Sequence, residues 1–269
     1  MYTQFTPAQF TPAHRGGSGA PLVLLHGFTG SWRTWELVIP ALERHHDVLA
    51  PTLVGHAGGP PLEGVVSPDV LPGAIERAMD EAGFETAHIV GNSLGGFLAL
   101  QLAARGRARS VVAFAPAGGW ADRSEAIETL GSFYAIQDQV EAAAPHTAAI
   151  VATPEGRRTA TMLLAENHEH IPPDLVAHHV QASARCTAAR TMLDYAIAEG
   201  YHLDAERITC PVRVVWGTAD RLLPWPSAAA RFQRDWVPQA EWIELEGVGH
   251  CPQLDVPTET AQLILGFTH

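Results

Sequence analysis

The chain has 269 residues, long enough for one large folded domain with a sizeable core. It carries 46% hydrophobic and 17% charged residues and a formal net charge of −12, a balance that disfavours nucleic acid and anionic membranes as partners. Its 14 histidines make that charge far less negative below about pH 6. Three cysteines, Cys186, Cys210 and Cys251, give an odd count with no zinc-like spacing, so neither a disulfide framework nor a structural metal is expected. No stretch approaches the length of a membrane span, and the first residues lack a basic segment followed by an apolar run; a cytoplasmic location is expected.

In chain order, residues 1–20 are turn-rich and suit one or two short edge strands. Residues 22–27 read as an apolar strand, in the run Pro21-Leu22-Val23-Leu24-Leu25-His26-Gly27-Phe28-Thr29-Gly30 that breaks into a Gly-containing loop. The spacing of Trp35, Val38, Ile39 and Leu42 predicts an amphipathic helix over 32–42, and 47–51 reads as the next strand. A Gly/Pro loop follows at 54–61. Ser67-Pro68-Asp69 predicts a helix start, with Ser67 as N-cap, running to about Ala82. Next come His88-Ile89-Val90-Gly91-Asn92, then Ser93-Leu94-Gly95-Gly96, then the helix-forming run 97–104. A further buried strand occupies 110–116. From about 117 to 206 no strand pattern is visible; helical runs are broken at Pro145, Pro154, Pro172 and Pro173. Strand character returns at 212–217 and in the alternating segment that runs from Ala240 toward His250, with helices predicted from Ser227 and over 257–267. Alternating strands and helices imply a mainly parallel α/β sheet covered on both faces.

The chemistry is concentrated at Gly91-Asn92-Ser93-Leu94-Gly95. A serine between a buried strand and a helix must occupy a sharp turn that lifts its hydroxyl to the sheet edge and aims the helix N-terminus at any oxyanion formed there. A nucleophilic serine needs a base, and the base an orienting acid. Asp220 follows the strand 212–217, and His250 follows the alternating segment 240–245 and two glycines. The order Ser93, Asp220, His250, with the His-Gly-Phe loop upstream, resembles the α/β-hydrolase superfamily, in its serine-nucleophile branch similar to carboxylesterases and lipases and in part to C–C bond hydrolases.

That resemblance covers nearly the whole chain. It implies an α/β-hydrolase core of residues 1–116 and 207–269, with a helical cap of residues 117–206 inserted after the sixth strand. It implies Ser93, Asp220 and His250 as catalytic residues and the backbone N–H groups of Phe28 and Leu94 as an oxyanion hole. Candidate substrate contacts are His26, Trp32, Asn92, Trp120, Phe133, Leu163, Leu222 and Cys251. His26 is also explained as a structural loop residue. Asp122 is a less favoured alternative acid, and Asp255 reads as a surface or helix-capping residue. Serine at the elbow separates the chain from epoxide hydrolases and haloalkane dehalogenases, which use aspartate there. The Gly-Asn-Ser-x-Gly-Gly motif resembles that of C–C bond hydrolases, but Cys251 stands where those carry tryptophan. The 54–61 loop also departs from the family, with Pro51 or Thr52 in place of an aspartate.

The expected activity is carboxylic ester hydrolysis, by a carboxylesterase or small lipase. The alternatives are C–C bond hydrolysis of ring-fission products, lactone hydrolysis, and a small-molecule receptor that retains the triad. The substrate class is a small ester or related carbonyl compound, with no cofactor, no metal, no nucleic acid and no integral membrane association. His168, His170, His178 and His179 do not have metal-ligand spacing: two positions apart on a helix point to different faces, and Pro172-Pro173 interrupts the rest.

Overall fold

The computed structural model describes residues 10–268. Seven strands form one sheet: β1 (Ala13–Gly17), β2 (Ala20–Leu25), β3 (His46–Pro51), β4 (Ala87–Asn92), β5 (Ala108–Phe114), β6 (Val212–Gly217) and β7 (Glu241–Leu245), in the order β1-β3-β2-β4-β5-β6-β7. Only the β1–β3 pair is antiparallel. The side-chain period of two divides the strands between two cores. Val23, Leu25, Ile89, Val111 and Val214 pack on one face, and Leu22, Leu24, Val90, Val112 and Val215 on the other. Helix α3 (Leu94–Ala104) is apolar almost all round and buried accordingly. The far face is covered by Trp35, Ile39 and Leu42 and by α10 (Pro257–Leu265).

Three local expectations are corrected. The helix predicted over 32–42 is a 3-10 turn (Trp32–Trp35), capped by Ser31 Oγ, followed by the one-turn α1 (Ile39–Leu42). Pro40 lacks an N–H and its ring clashes with the carbonyl four residues back, so no helix runs through 36–40. The four apolar residues are buried even so. Helix α2 spans Val70–Glu81 with Asp69 at the N-cap position, two residues later than predicted. Pro68 restricts Ser67 to extended backbone, and Ser67 closes a turn through its carbonyl to Val70 N–H (3.2 Å) instead of capping with its hydroxyl. The helix predicted from Ser227 is a 3-10 turn (Ser227–Ala229) and then a π turn (Phe232–Trp236).

Between β5 and β6 the chain is helical: α4 (Arg123–Ala143), α5 (Thr147–Val151), α6 (Pro154–Thr161), α7 (Pro173–Ala184) and α8 (Ala189–Glu199). The segment therefore follows the fifth strand of the described sheet, where the family count gave the sixth; one strand, β1, precedes β2 at the N-terminal side. Short helices α9 (Pro252–Asp255) and α10 close the fold after β7. No helix among the described residues is long and apolar enough to cross a membrane.

Candidate active site

The turn between β4 and α3 holds Ser93 at φ 57°, ψ −120°, a left-handed conformation that a residue bearing a Cβ adopts only when its surroundings enforce it. Ser93 N–H donates to the Phe114 carbonyl (2.9 Å), and the Ser93 carbonyl accepts from Phe97 and Ala117 N–H groups (3.1 and 3.0 Å). Strand and helix close in so far that a Cβ at Gly91 would lie 2.1 Å from the Gly95 carbonyl oxygen, and one at Gly95 2.2 Å from that of Leu25. Only glycine fits at either position.

Asp220 and His250 arrive on the turns after β6 and β7. His250 Nδ1–H donates to Asp220 Oδ2 at 2.7 Å, both residues being buried. The other carboxylate oxygen, Oδ1, accepts from Leu222 and Leu223 N–H groups at 2.9 and 2.8 Å. The acid is thus fixed by its own backbone turn before it meets the imidazole. Asp122 is exposed and elsewhere, capping α4 through Ser124 and Glu125 N–H groups.

Ser93 stands where two chambers meet, of about 130 and 150 Å³. Phe28 and Phe133 line both and touch edge to face (centroids 5.9 Å apart, 74° between planes), forming the partition. The first chamber is mainly apolar, walled by Leu94, Phe97, Trp120, Leu130, Leu193 and Tyr201 among others, with Ser67, Gln101 and His202 as polar exceptions. The second contains His250 and is more polar, with Thr29, Thr34, Gln137, His179 and Ser183 beside Leu163, Leu164, Leu222 and Cys251. No lysine, arginine, aspartate or glutamate is among the described residues lining either chamber. Helices α4, α7 and α8 and the 162–164 turn supply much of both walls.

Phe28 and Leu94 both lie beside Ser93 in the wall of the first chamber. Leu94 opens α3, where a helical N–H has no intrahelical acceptor, and Phe28 lies in the loop after β2.

Trp120, Phe133, Leu163, Leu222 and Cys251 line the chambers. Two other candidate substrate contacts do not. His26 is fully buried outside both chambers. Its Nε2 accepts from Leu53 N–H (2.9 Å), which places its proton on Nδ1, facing the Gly27 carbonyl (2.8 Å); it ties two loops together. Burial and the neighbouring His56 hold it well below the usual imidazole range, so it stays neutral. Trp32 turns toward the β1 edge, donating its indole N–H to Thr11 Oγ1 (2.7 Å). Asn92 borders the second chamber, but its amide is spent inside the protein. Nδ2 donates to the carbonyls of His250 (2.9 Å) and Phe114 (3.2 Å), and Oδ1 accepts from Gln253 Nε2 (3.0 Å) and the Cys251 thiol (3.2 Å). It braces the histidine loop against the elbow. Burial and the nearby Asp220 and Asp255 carboxylates push the Cys251 thiol up, so it is no thiolate nucleophile.

His179, for which the sequence predicts a solvated or cap-lining role and no metal, lines the second chamber, its imidazole held down to about 3 by burial, His178 and Arg33. His178 pairs with Ser31 Oγ (2.7 Å), and His170 with the Leu254 carbonyl (2.8 Å). Among the described residues no cluster of three or more His, Cys, Asp or Glu is placed to hold a metal. Asp255, expected as a surface or helix-capping residue, is buried, and its carboxylate accepts four N–H donors. No sequence pattern used above signals this, because the donors lie up to 89 residues away.

A family model described as "Alpha/beta hydrolase family" matches residues 22–263, nearly the whole described chain. The chain belongs to the α/β-hydrolase family. Similar to this hydrolase is epoxide hydrolase EphH of Mycobacterium tuberculosis, 34% identical over 204 residues, which are 75% of this chain and 95% of that one. The 2-hydroxymuconate semialdehyde hydrolase of a Pseudomonas species is 35% identical over 114 residues, 40% of each chain. Among solved structures, a serine hydrolase involved in carbazole degradation superposes with a TM-score of 0.73 at 20% identity, over 95% of this chain and 93% of that one. The meta-cleavage product hydrolase of Pseudomonas fluorescens does so at 0.70 and 24%, over 95% and 92%. These structural likenesses show the fold.

Proposed function

We propose that this α/β hydrolase cleaves neutral carboxylic esters through a Ser93 acyl-enzyme, with residues 117–206 as a cap over the site. The observation that carries the reading is the buried Asp220–His250 pair, 2.7 Å apart, opening on the same chamber as the strained elbow serine. With the Nδ1 proton held by Asp220, the other imidazole nitrogen is unprotonated and available as base. It takes the Ser93 hydroxyl proton as the oxygen attacks the ester carbonyl. The oxyanion is received by the N–H groups of Phe28 and Leu94, two preorganised donors of which each is worth about 3 kcal/mol in comparable sites. His250 then gives that proton to the departing alkoxide and takes one from water; the hydroxide attacks the acyl carbon, the Ser93 oxygen leaves and recovers the proton from His250, and the acid is released.

Because His250 must reach the leaving oxygen, the alcohol portion occupies the second, more polar chamber. The acyl chain takes the first, apolar one.

The likeness to an epoxide hydrolase does not transfer its reaction. Opening an epoxide by covalent catalysis requires a carboxylate nucleophile, because the resulting ester can be hydrolysed; serine would form an ether with no carbonyl for water to attack. C–C bond hydrolysis is the second reading, favoured by the likeness to 2-hydroxymuconate semialdehyde hydrolase. A muconate bears a carboxylate, however, and the described chamber walls offer it no lysine or arginine. Burying an unpaired carboxylate is costly, which places neutral esters first.

The test is fluorophosphonate labelling and turnover of a neutral p-nitrophenyl ester series. Wild type labels and turns over, and Ser93→Ala does neither while keeping its fold. Labelling without turnover of any ester would point instead to a receptor with a retained triad. Retained turnover in Ser93→Ala would reject the mechanism.

A further inference from the structure

We propose that Asp255 is a positioning residue for the catalytic base: its carboxylate joins the Gly249–His250 turn to the 164–167 loop, so the segment that roofs the cavity also mounts the histidine. The inference rests on the role given to His250 above.

Asp255 is 2% exposed and has no cationic partner among the described residues. Its charge is met by N–H donors alone. Oδ2 accepts from Gly249 N–H (2.6 Å) and Glu166 N–H (2.9 Å); Oδ1 accepts from Asn167 N–H (2.8 Å) and Asn167 Nδ2 (2.7 Å). Gly249 directly precedes His250. Glu166 and Asn167 lie between α6 and α7, in the helical segment. One residue beyond the histidine, Cys251 N–H donates to the Leu164 carbonyl at 2.7 Å, and the His250 carbonyl itself accepts from Asn92. The backbone on both sides of the imidazole is therefore pinned to the 164–167 loop, and the residue between them to the elbow.

The fit leaves no slack. A Cβ on Gly249 would stand 3.1 Å from Ala165 Cα and from the Leu164 carbonyl oxygen. Cys251 and Leu254 pack with Ala165, Ile171 and Leu175 in one small core shared by the two segments. A helical segment that served only as a selectivity filter would need no bond to the base's own turn. Here the two are built as one piece, and the segment contributes to the chemistry as well as to the choice of substrate.

Charge-assisted hydrogen bonds of this kind are short and directional. An amide in place of the carboxylate cannot satisfy four donors. Whichever way it is turned, its NH2 meets two of them, so either Gly249 and Glu166 or Asn167 loses its acceptor. A displacement of about 1 Å in a catalytic group costs on the order of 10²-fold in rate.

Asp255→Asn is the test, with turnover expressed per active site titrated by fluorophosphonate. The expected result is a fall of about 10²-fold in kcat per titrated site, with KM within about threefold, because neither chamber is altered. A purely structural role would lower the titratable fraction and leave kcat per site unchanged. The second readout needs no substrate: the low-field proton resonance of the His250 Nδ1–H bond to Asp220 is expected to shift or broaden in the variant. If wild type turned over no ester, the ester reading would fall while this resonance still judged Asp255. Should Asp255→Asn not fold, Asn167→Ala removes one donor and keeps the carboxylate; a smaller fall in kcat per site and a smaller shift are expected. Unchanged kcat per site and an unchanged resonance in the folded variant would overturn the proposal.

Discussion

Replacing Asp220 by asparagine tests the site at its most constrained point. The change is nearly isosteric, and an isolated amide would simply turn its oxygen toward the imidazole. Here the backbone decides otherwise. Leu222 and Leu223 N–H groups, at 2.9 and 2.8 Å, both demand an acceptor at the Oδ1 position. The amide oxygen stays there and the NH2 group faces His250 Nδ1. That nitrogen must then accept, which drives the imidazole proton to the other nitrogen and leaves no base toward Ser93. Reversing the amide would restore the tautomer and set two buried backbone N–H groups against an NH2, at a cost of about 1–3 kcal/mol each. In other triads the wrong tautomer costs about 10⁴ in kcat, or roughly 5 kcal/mol of barrier. Stopped-flow or steady-state turnover of a p-nitrophenyl ester at neutral pH should show that loss, with the melting temperature lowered by no more than a few degrees. Asp122→Asn, which only weakens a helix cap, should leave the rate unchanged. Activity of Asp220→Asn within tenfold of wild type would refute the account.

Other outcomes follow from the same geometry. Ser93 sits at φ 57°, so Ser93→Gly should be the more stable of two inactive variants. Relief of strain, less the entropy of glycine, should leave it about 1 kcal/mol above Ser93→Ala, or roughly 2–4 °C in melting temperature; equal melting points would deny the strain. Leu193→Ala should change selectivity along an acyl-length series and Leu163→Ala along an alcohol series, since they wall different chambers. The steps should be graded, about 1–3 kcal/mol per methylene, and uniform scaling across both series would reject the two-chamber assignment. Burial holds His56 down at about 4, against 6.5 for the free group. The unfolded chain therefore takes up that proton first, and stability present above about pH 6.5 is lost as pH falls toward 4, by up to about 3 kcal/mol for this group. Thermal melts of His56→Asn across that window should decline less steeply than wild type; parallel declines would show that His56 is not responsible.

What the sequence determined by itself is whatever is encoded in contiguous residues. Gly91-Asn92-Ser93-Leu94-Gly95 demands an elbow because glycine alone permits the close approach on either side of the serine. The central strands β2, β4, β5 and β6 are legible because they are largely buried on both faces and read as mainly apolar runs, and β7 because it alternates. Asp220 and His250 could be placed at strand ends by chain order. The structure brings them within 2.7 Å. Tertiary structure alone decided how side chains divide between cavity and scaffold. His26, Trp32 and Asn92 have the chemistry of substrate contacts, but each found acceptors or donors in the protein first, and a polar group already satisfied on one side has nothing to offer a ligand. Asp255 shows the converse. One carboxylate in an apolar stretch looks like a surface residue until the 164–167 loop, nearly ninety residues earlier, supplies the N–H donors that allow it to be buried. The sequence carries both halves of that contact, but local periodicity and motif spacing are blind to a bond whose partners are brought together only when the sheet closes and the helices pack down on it.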